Sequence, residues 1–147
     1  MGGCASTPKV IPNTPEAEAA IADLKVLAEA GSKDAQFAIG YHYNVAGVEQ
    51  DFKKAHEWYS KAASQGHPQA QCNLACLYRD GSGTKRDDDK AFELFIKSAT
   101  QGNARGQTGL GHLYYTGRGV KLDKVISLAW HWISALNSDE QGLRSVR

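Results

Sequence analysis

Apolar and small residues recur along the chain at a spacing that predicts amphipathic helices. Ala35, Ile39, Gly40 and Tyr43 follow one another at steps of four, one and three residues. These steps place them on one face of an α-helix. The pattern returns twice, as Ala70, Leu74, Ala75 and Tyr78 and then as Gly106, Leu110, Gly111 and Tyr114. We call this predicted helix, which occurs three times, helix A.

A second helix, called helix B, is predicted to follow each helix A after a turn. Asp51, Asp87 and Asp123 lie in one register, where a short acceptor side chain caps a helix N-terminus. Small residues then alternate with bulky ones, which lets two helices approach closely. The predicted faces are Ala55, Trp58, Tyr59, Ala62 and Ala63; Ala91, Leu94, Phe95, Ser98 and Ala99; and Ser127, Trp130, His131, Ser134 and Ala135.

The hexapeptides KAASQG and KSATQG, which start at Lys61 and Lys97, lie 36 residues apart. A fixed period of this length is typical of repeat architectures. Each hexapeptide ends in a glycine, Gly66 or Gly102, that stops helix B because glycine adopts the left-handed conformation at low cost. The repeats therefore predict an all-α solenoid of helix pairs.

The period also predicts how the chain is organised. Residues 1–14, which include Pro8 and Pro12, read as a flexible leader. The repeat array covers residues 15–138, with an extra helix over 15–30 and units at about 31–65, 66–101 and 102–137. Residues 139–147 either fray or begin a further unit that is cut short, because the terminal units of a solenoid need a cap.

Composition and charge narrow the classes of function. The chain is 41% hydrophobic and 22% charged, which is typical of a soluble globular protein. Its net charge is +1, so no excess of positive charge favours nucleic acid or an anionic membrane as a partner. No apolar run approaches the roughly 18 residues that span a bilayer. We expect no nucleic-acid partner, and membrane contact only through a lipid anchor.

The N-terminal residues MGGCAS fit a lipidation pattern. Gly2 with Ser6 matches the N-myristoylation signal, and Cys4 is available for palmitoylation. Gly-Cys followed by ASTPK also resembles the start of a mature bacterial lipoprotein, and a short leader that matches by chance is the third interpretation. The expected location is cytoplasmic, with membrane anchoring through Gly2 and Cys4, or a place in the cell envelope as a lipoprotein, as alternatives.

Three groups of residues are candidates for chemistry. Cys72, Cys76 and His112 are soft ligands, but structural zinc needs four ligands and no fourth is evident. The acidic run DDDK at 87–90 suits the positive end of a helix dipole. A calcium loop starting at Asp80 fails because Lys85 stands where glycine is needed. The histidines show no HExxH spacing. We expect no catalytic residues, no metal, no cofactor and no enzymatic activity.

Several segments resemble the Sel-one-like repeat family, a relative of the tetratricopeptide repeats. They are AQCNLACLY at 70–78, GRGV at 117–120 and GVEQDFKKAHEWYSKAA at 47–63. The likeness covers about residues 15–138. It implies a right-handed α/α superhelix of antiparallel helix pairs, similar to tetratricopeptide repeats, that serves as an adaptor for protein complexes.

Stacked units leave the outer positions of helix A lining a concave groove. The related tetratricopeptide repeats grip peptides with the matching positions. Aromatic and arginine side chains are enriched at binding hot spots, and the cations here would suit a peptide with an acidic group. Alternatively, Phe37 and Tyr115 only cover neighbouring helices. The residues predicted to contact the protein or peptide partner are Phe37, Tyr41, Asn44, Cys76, Arg79, Arg105, His112 and Tyr115.

The sequence thus predicts a non-catalytic scaffold that binds a partner in this groove. One alternative is a secreted or periplasmic hydrolase similar to the cysteine-rich relatives of the family, some of which bind β-lactams. Cysteine pairs in those relatives bridge helix A to helix B, whereas Cys72 and Cys76 lie on one predicted helix. The other alternative is a regulatory segment of a longer protein.

Overall fold

A computed structural model of the protein describes residues 14–45 and 50–145, with side chains up to residue 139. The predicted lipidation sites Gly2 and Cys4 lie outside the described residues. Helices and turns make up the described part, which contains no strand. The helices are α1 Pro15–Glu29, α2 Lys33–Asn44, α3 Phe52–Ser64, α4 Pro68–Asp80, α5 Asp88–Thr100, α6 Ala104–Thr116 and α7 Lys124–Ser145.

Successive helices pack against each other in chain order. The pairs α2–α3, α4–α5 and α6–α7 are the three units, so α2, α4 and α6 are the helices A and α3, α5 and α7 are the helices B. Contacts of α3 with α4 and of α5 with α6 stack the units, and α1 packs on α2 where the extra N-terminal helix is expected. The prediction of an all-α solenoid of helix pairs is confirmed.

Capping side chains fix where the helices begin. Asp51, Asp87 and Asp123 accept hydrogen bonds of 2.9 to 3.1 Å from N–H groups in the first turns of the helices B. Each bond satisfies a backbone donor that has no partner within the helix. The predicted capping role of the three aspartates is confirmed. The helices A are capped in the same way, by Ser32, His67 and Asn103.

Small residues bring the helices close enough to bury the large rings. Tyr59 and Phe95 occupy the same register on α3 and α5, and both are fully buried. A Cβ atom at Gly40 would come within 2.6 Å of the Tyr59 ring, and one at Gly109 would overlap the Phe95 ring. Protein cores are close-packed and leave no room for an added side chain. A larger residue at either glycine would therefore displace an aromatic ring.

A buried glutamine joins each helix A to the helix before it and to the end of the helix after it. Nε2 of Gln71 on α4 donates to the carbonyl of Ala63 on α3 at 3.4 Å, and its Oε1 accepts from Nε2 of Gln101 at 2.7 Å. Gln36 and Gln107 make the equivalent bonds in the first and third units. Since both ends of these buried amides are satisfied, the bonds hold successive units at one spacing.

The turn between helix A and helix B packs on the start of the preceding helix B. At Gly119, where φ is +69°, a Cβ atom would overlap the carbonyl of Asp88 at the start of α5. The neighbouring Arg118 donates to the Asp88 carboxylate at 2.9 Å and to the carbonyl of Arg79 at 2.7 Å. Hydrogen bonds from Arg86 and from Arg118 lower the pKa of Asp88 to about 2. This carboxylate therefore stays charged and ties the third unit to the second.

Helix α7 differs from what the sequence predicts for the C-terminus. The period places the end of the third unit near residue 137, whereas α7 continues without a break to Ser145. Helices α3 and α5 stop before Gly66 and Gly102, which both have a φ of +83°. The same register in the third unit holds Ser138, for which the left-handed conformation is costly. Without that glycine the helix does not stop.

We expect Gly119→Ala to destabilise the protein more than Gly102→Ala does. Both glycines have a positive φ, so alanine is strained at either position, but at Gly102 no heavy atom lies within 4 Å of an added Cβ. The expected loss is about 1 kcal/mol for Gly102→Ala and about 2 to 4 kcal/mol for Gly119→Ala. Urea denaturation followed by circular dichroism measures both. Equal losses would show that the contact with α5 contributes nothing.

Candidate functional site

Polar side chains of α2 and α4 meet at one buried hydroxyl group. The hydroxyl of Tyr59 on α3 accepts a hydrogen bond from Nδ2 of Asn73 on α4 at 3.1 Å. Asn44 on α2 also bonds to this hydroxyl, and Tyr41 and Arg105 lie close enough to affect its ionisation. Burial raises the pKa of Tyr59 well above its ordinary value, so the group stays a neutral phenol. We call these five residues the Tyr59 cluster.

Arginine side chains lie near titratable groups of α4 and α6. Burial raises the pKa of the Cys72 thiol to about 12, while the positive charges of Arg105 and Arg79 oppose that shift. The pKa of His112 is lowered by burial first and then by Arg79 and Arg118. Titratable groups on both α4 and α6 therefore experience nearby positive charge, which favours an anionic ligand.

The cations predicted for the groove differ in how accessible they are. The side chain of Arg79 is only 11% exposed and donates two hydrogen bonds, of 2.9 and 3.2 Å, to the carboxylate of Asp80. Its charge is thus partly compensated within α4. Arg105, at the start of α6, is exposed. Arg105 is therefore the better placed of the two to meet a ligand.

The two cysteines of α4 are buried beneath the groove. Cys72 is 1% exposed and Cys76 is 7% exposed, so Cys76 offers little surface to a ligand, contrary to the role predicted for it. Both lie on α4, one turn apart. In the part of the chain that the structure describes, no three or more His, Cys, Asp or Glu residues are grouped to hold a metal ion.

Phe37 packs toward the core and stacks on a histidine. Its ring lies 4.6 Å from that of His67 and 5.9 Å from that of Tyr59, which fits the interpretation that it covers neighbouring helices. Nδ1 of His67 accepts from the backbone N–H of Ala70 at 3.2 Å, so Nε2 carries the proton. This N–H donates to Asp34 at 3.2 Å. Burial lowers the pKa of His67, and the ring is neutral.

Tyr115 and His112 line the end of the groove formed by the third unit. Both residues are exposed. The Tyr115 ring lies 5.8 Å from the ammonium group of Lys124, at the start of α7. The structure therefore groups Tyr41, Asn44 and Arg105 around Tyr59, and places Tyr115 toward the C-terminal end of the array.

Tyr59 and Asn73 are absent from the groove residues predicted from the sequence. Comparing equivalent positions of successive units nevertheless points to these two residues. Tyr59 corresponds to Phe95 in the next unit, and Asn73 corresponds to Gly109. The contact between the first and second units thus has a hydroxyl and an amide, whereas the contact between the second and third units has neither. Two polar substitutions at facing core positions indicate a hydrogen bond between them.

Comparison with models of protein families shows which family the chain belongs to. The model of the Sel1 repeat matches residues 33–67, 68–103 and 104–135, which together are more than half of the chain. The chain belongs to the Sel1 repeat family. Sel1 repeat proteins are in general helical scaffolds for protein interaction without catalytic activity. No curated protein matches the sequence significantly.

Solved structures of Sel1 repeat proteins are similar to this one. The Sel1 repeat protein from Oxalobacter formigenes has a TM-score of 0.75 and 25% identity, over 90% of this chain and 97% of that one. The protective antigen c5321 of uropathogenic Escherichia coli has a TM-score of 0.59 and 31% identity, over 83% of this chain and 33% of that one. Cysteine rich protein B of Helicobacter pylori shares the fold, with a TM-score of 0.65 and 18% identity over 89% and 98% of the chains.

We expect His67→Asn to make the stability of the protein less sensitive to acid. Asparagine caps α6 at the same register, at Asn103, so the variant keeps a capping acceptor. The pKa of His67 is lowered in the folded state, so the unfolded chain binds more protons below a pH of about 6.5. The wild type therefore loses stability as the pH falls through this range, and the variant loses less.

Urea denaturation of both proteins between about pH 7 and about pH 5 tests this expectation. His56 and His112 are present in both proteins, so their contributions cancel in the comparison. Parallel losses of stability would contradict a role for His67.

Proposed function

We propose that this Sel1 repeat chain is a non-catalytic adaptor that binds an extended peptide through a carboxylate group of that peptide. The observation that carries the proposal is the Tyr59 cluster, where polar side chains of α2 and α4 meet at a buried hydroxyl near the positive charge of Arg105 on α6. A site built from three successive units spans the groove, so it suits a ligand that lies across all three.

The chemistry of the cluster favours a carboxylate over other peptide groups. Asparagine amides and a guanidinium group donate hydrogen bonds, and bonds from a cation to a carboxylate are about twice as strong as neutral ones. The nearby acids of the groove already have partners, since Asp34 bonds to His67 and Asp80 bonds to Arg79.

The spacing of the helices sets the length of the ligand. Packed helices lie about 8 to 10 Å apart, so the groove from α2 to α6 extends on the order of 20 Å. An extended peptide rises about 3.3 Å per residue, so roughly six residues cover this distance. Tyr41 and Tyr115 lie on α2 and α6, where their rings can contact apolar parts of the peptide on either side of the carboxylate.

We expect Arg105→Gln to weaken binding of acidic peptides about tenfold, the effect of losing one charge-assisted hydrogen bond. Peptides are first selected from a random library displayed on phage against the wild-type protein. Fluorescence anisotropy then measures their dissociation constants for the wild type, for Arg105→Gln and for Tyr41→Ala. The matched control is Lys97→Gln, which removes an exposed positive charge on α5, outside the groove.

The proposal requires that the selected peptides share an Asp, a Glu or a C-terminal carboxylate at a fixed position. It also requires that Lys97→Gln binds them like the wild type. Selected peptides without an acidic preference, or affinities equal in Arg105→Gln and the wild type, would overturn it. Circular dichroism of each variant confirms that the helices are intact.

A further inference from the structure

Helix α7 exposes far more apolar surface than a helix of a repeat array needs. Residues 125–136 read VISLAWHWISAL and contain no Asp, Glu, Lys or Arg. A helix that is apolar on all sides is normally buried. None of the helices in residues 14–45 and 50–145 is long and apolar enough to cross a membrane. The large exposed side chains, each 38% to 77% exposed, are Leu122, Val125, Ile126, Leu128, Trp132, Ile133 and Leu136.

Three positions of this face carry charges in both of the first two units. Ile126 corresponds to Lys54 and Lys90, Ile133 corresponds to Lys61 and Lys97, and Val125 corresponds to Lys53 and Asp89. All six charged residues are exposed. The apolar character of these three positions is therefore a property of α7 and not of the repeat. Exposed positions that are charged in two units and apolar only in the third indicate that the third unit makes a contact there.

A further repeat stacked on α7 would cover only part of this face, namely Leu128 and Trp132, which corresponds to the partly buried Ile96. The side chains of helix B that meet the next helix A are His56, 5.1 Å from Tyr78, and Phe92, 5.8 Å from Tyr114. Their register in α7 is Leu128. Lys54 and Lys90 stay exposed although another unit follows each of them, so a stacked unit would leave Ile126 exposed as well.

The face is complementary to itself when two α7 helices run antiparallel. A two-fold axis between Trp130 and His131 places Val125 opposite Leu136, Leu128 opposite Ile133, and the small Ala129 opposite the large Trp132 of the second copy. Bulky side chains then fit against small ones, as packed helices require. The same arrangement brings the exposed Lys124 near the exposed Asp139 of the second copy, whereas parallel helices would bring like charges together.

We propose that the exposed face of α7 is a dimer interface between two copies of this chain, with the two α7 helices antiparallel. The seven large apolar residues present on the order of 800 Å² per copy, which is what each partner contributes to an interface of standard size. The absence of charges from residues 125–136 means that no like charges meet across the axis.

Sedimentation velocity of the full chain at rising concentration tests the proposal. We expect a dimer for the wild type and at least a 100-fold weaker dimer for Trp132→Lys, because two like charges then face the axis. Trp132 is 70% exposed, so the substitution leaves the fold of each copy intact. The matched control is Val26→Lys, at an apolar residue of α1 that is 66% exposed at the other end of the array. It keeps the dimer.

Charge reversal tests the orientation. Lys124→Asp and Asp139→Lys each weaken the antiparallel dimer, and the double variant restores it. A wild type that stays monomeric, a dimer that survives Trp132→Lys, or a double variant weaker than both single variants would overturn the proposal. So would a monomer that binds phosphatidylglycerol vesicles and loses this binding on Trp132→Lys, since lipid would then be what covers α7.

Discussion

The stacking of the units depends on a buried glutamine side chain that connects three helices. Gln71 donates to a carbonyl at the end of α3 and accepts from Gln101 at the end of α5. Leaving such an amide buried without partners would cost about 1 to 3 kcal/mol, so neither neighbouring helix can slide without a penalty. Because Gln36 and Gln107 repeat the arrangement, the three helices A stand side by side. The predicted groove depends on this spacing.

Within this repeated frame, the candidate site arises where one unit departs from the others. The position facing the next helix A holds Tyr59 in the first unit and Phe95 in the second, and the residues opposite them are Asn73 and Gly109. The Phe95 contact only fills space. The Tyr59 contact adds a buried hydrogen bond, and the partly exposed Asn44 bonds to the same hydroxyl. Repeats thus supply the scaffold, and single substitutions at fixed positions supply chemistry.

Much of the fold could be predicted because each feature appears three times. The small residues of helix A, the capping aspartates and the glycine stops confirm one another across registers. The extension of α7 was not predicted, although Ser138 stands where the earlier units have a glycine. Side-chain pairings could not be predicted, since they depend on local competition between partners. Arg79 turns to the adjacent Asp80, and Phe37 stacks on His67. A helical wheel places both in the groove but does not show these contacts.

The groove and α7 are coupled through α6, which contributes to both surfaces. Arg105 and Tyr115 lie on the outer side of α6, while Gly111 on its inner side packs so closely on α7 that an added Cβ would come within 2.6 Å of the His131 ring. Because this contact is tightly packed, it holds α6 at a fixed position relative to α7. If α7 pairs with a second copy, the two grooves are therefore held at a fixed separation. A partner with two acidic segments could then bind both, and the second contact would form at a high effective concentration. An adaptor with a modest affinity per groove would gain its strength of binding from the dimer.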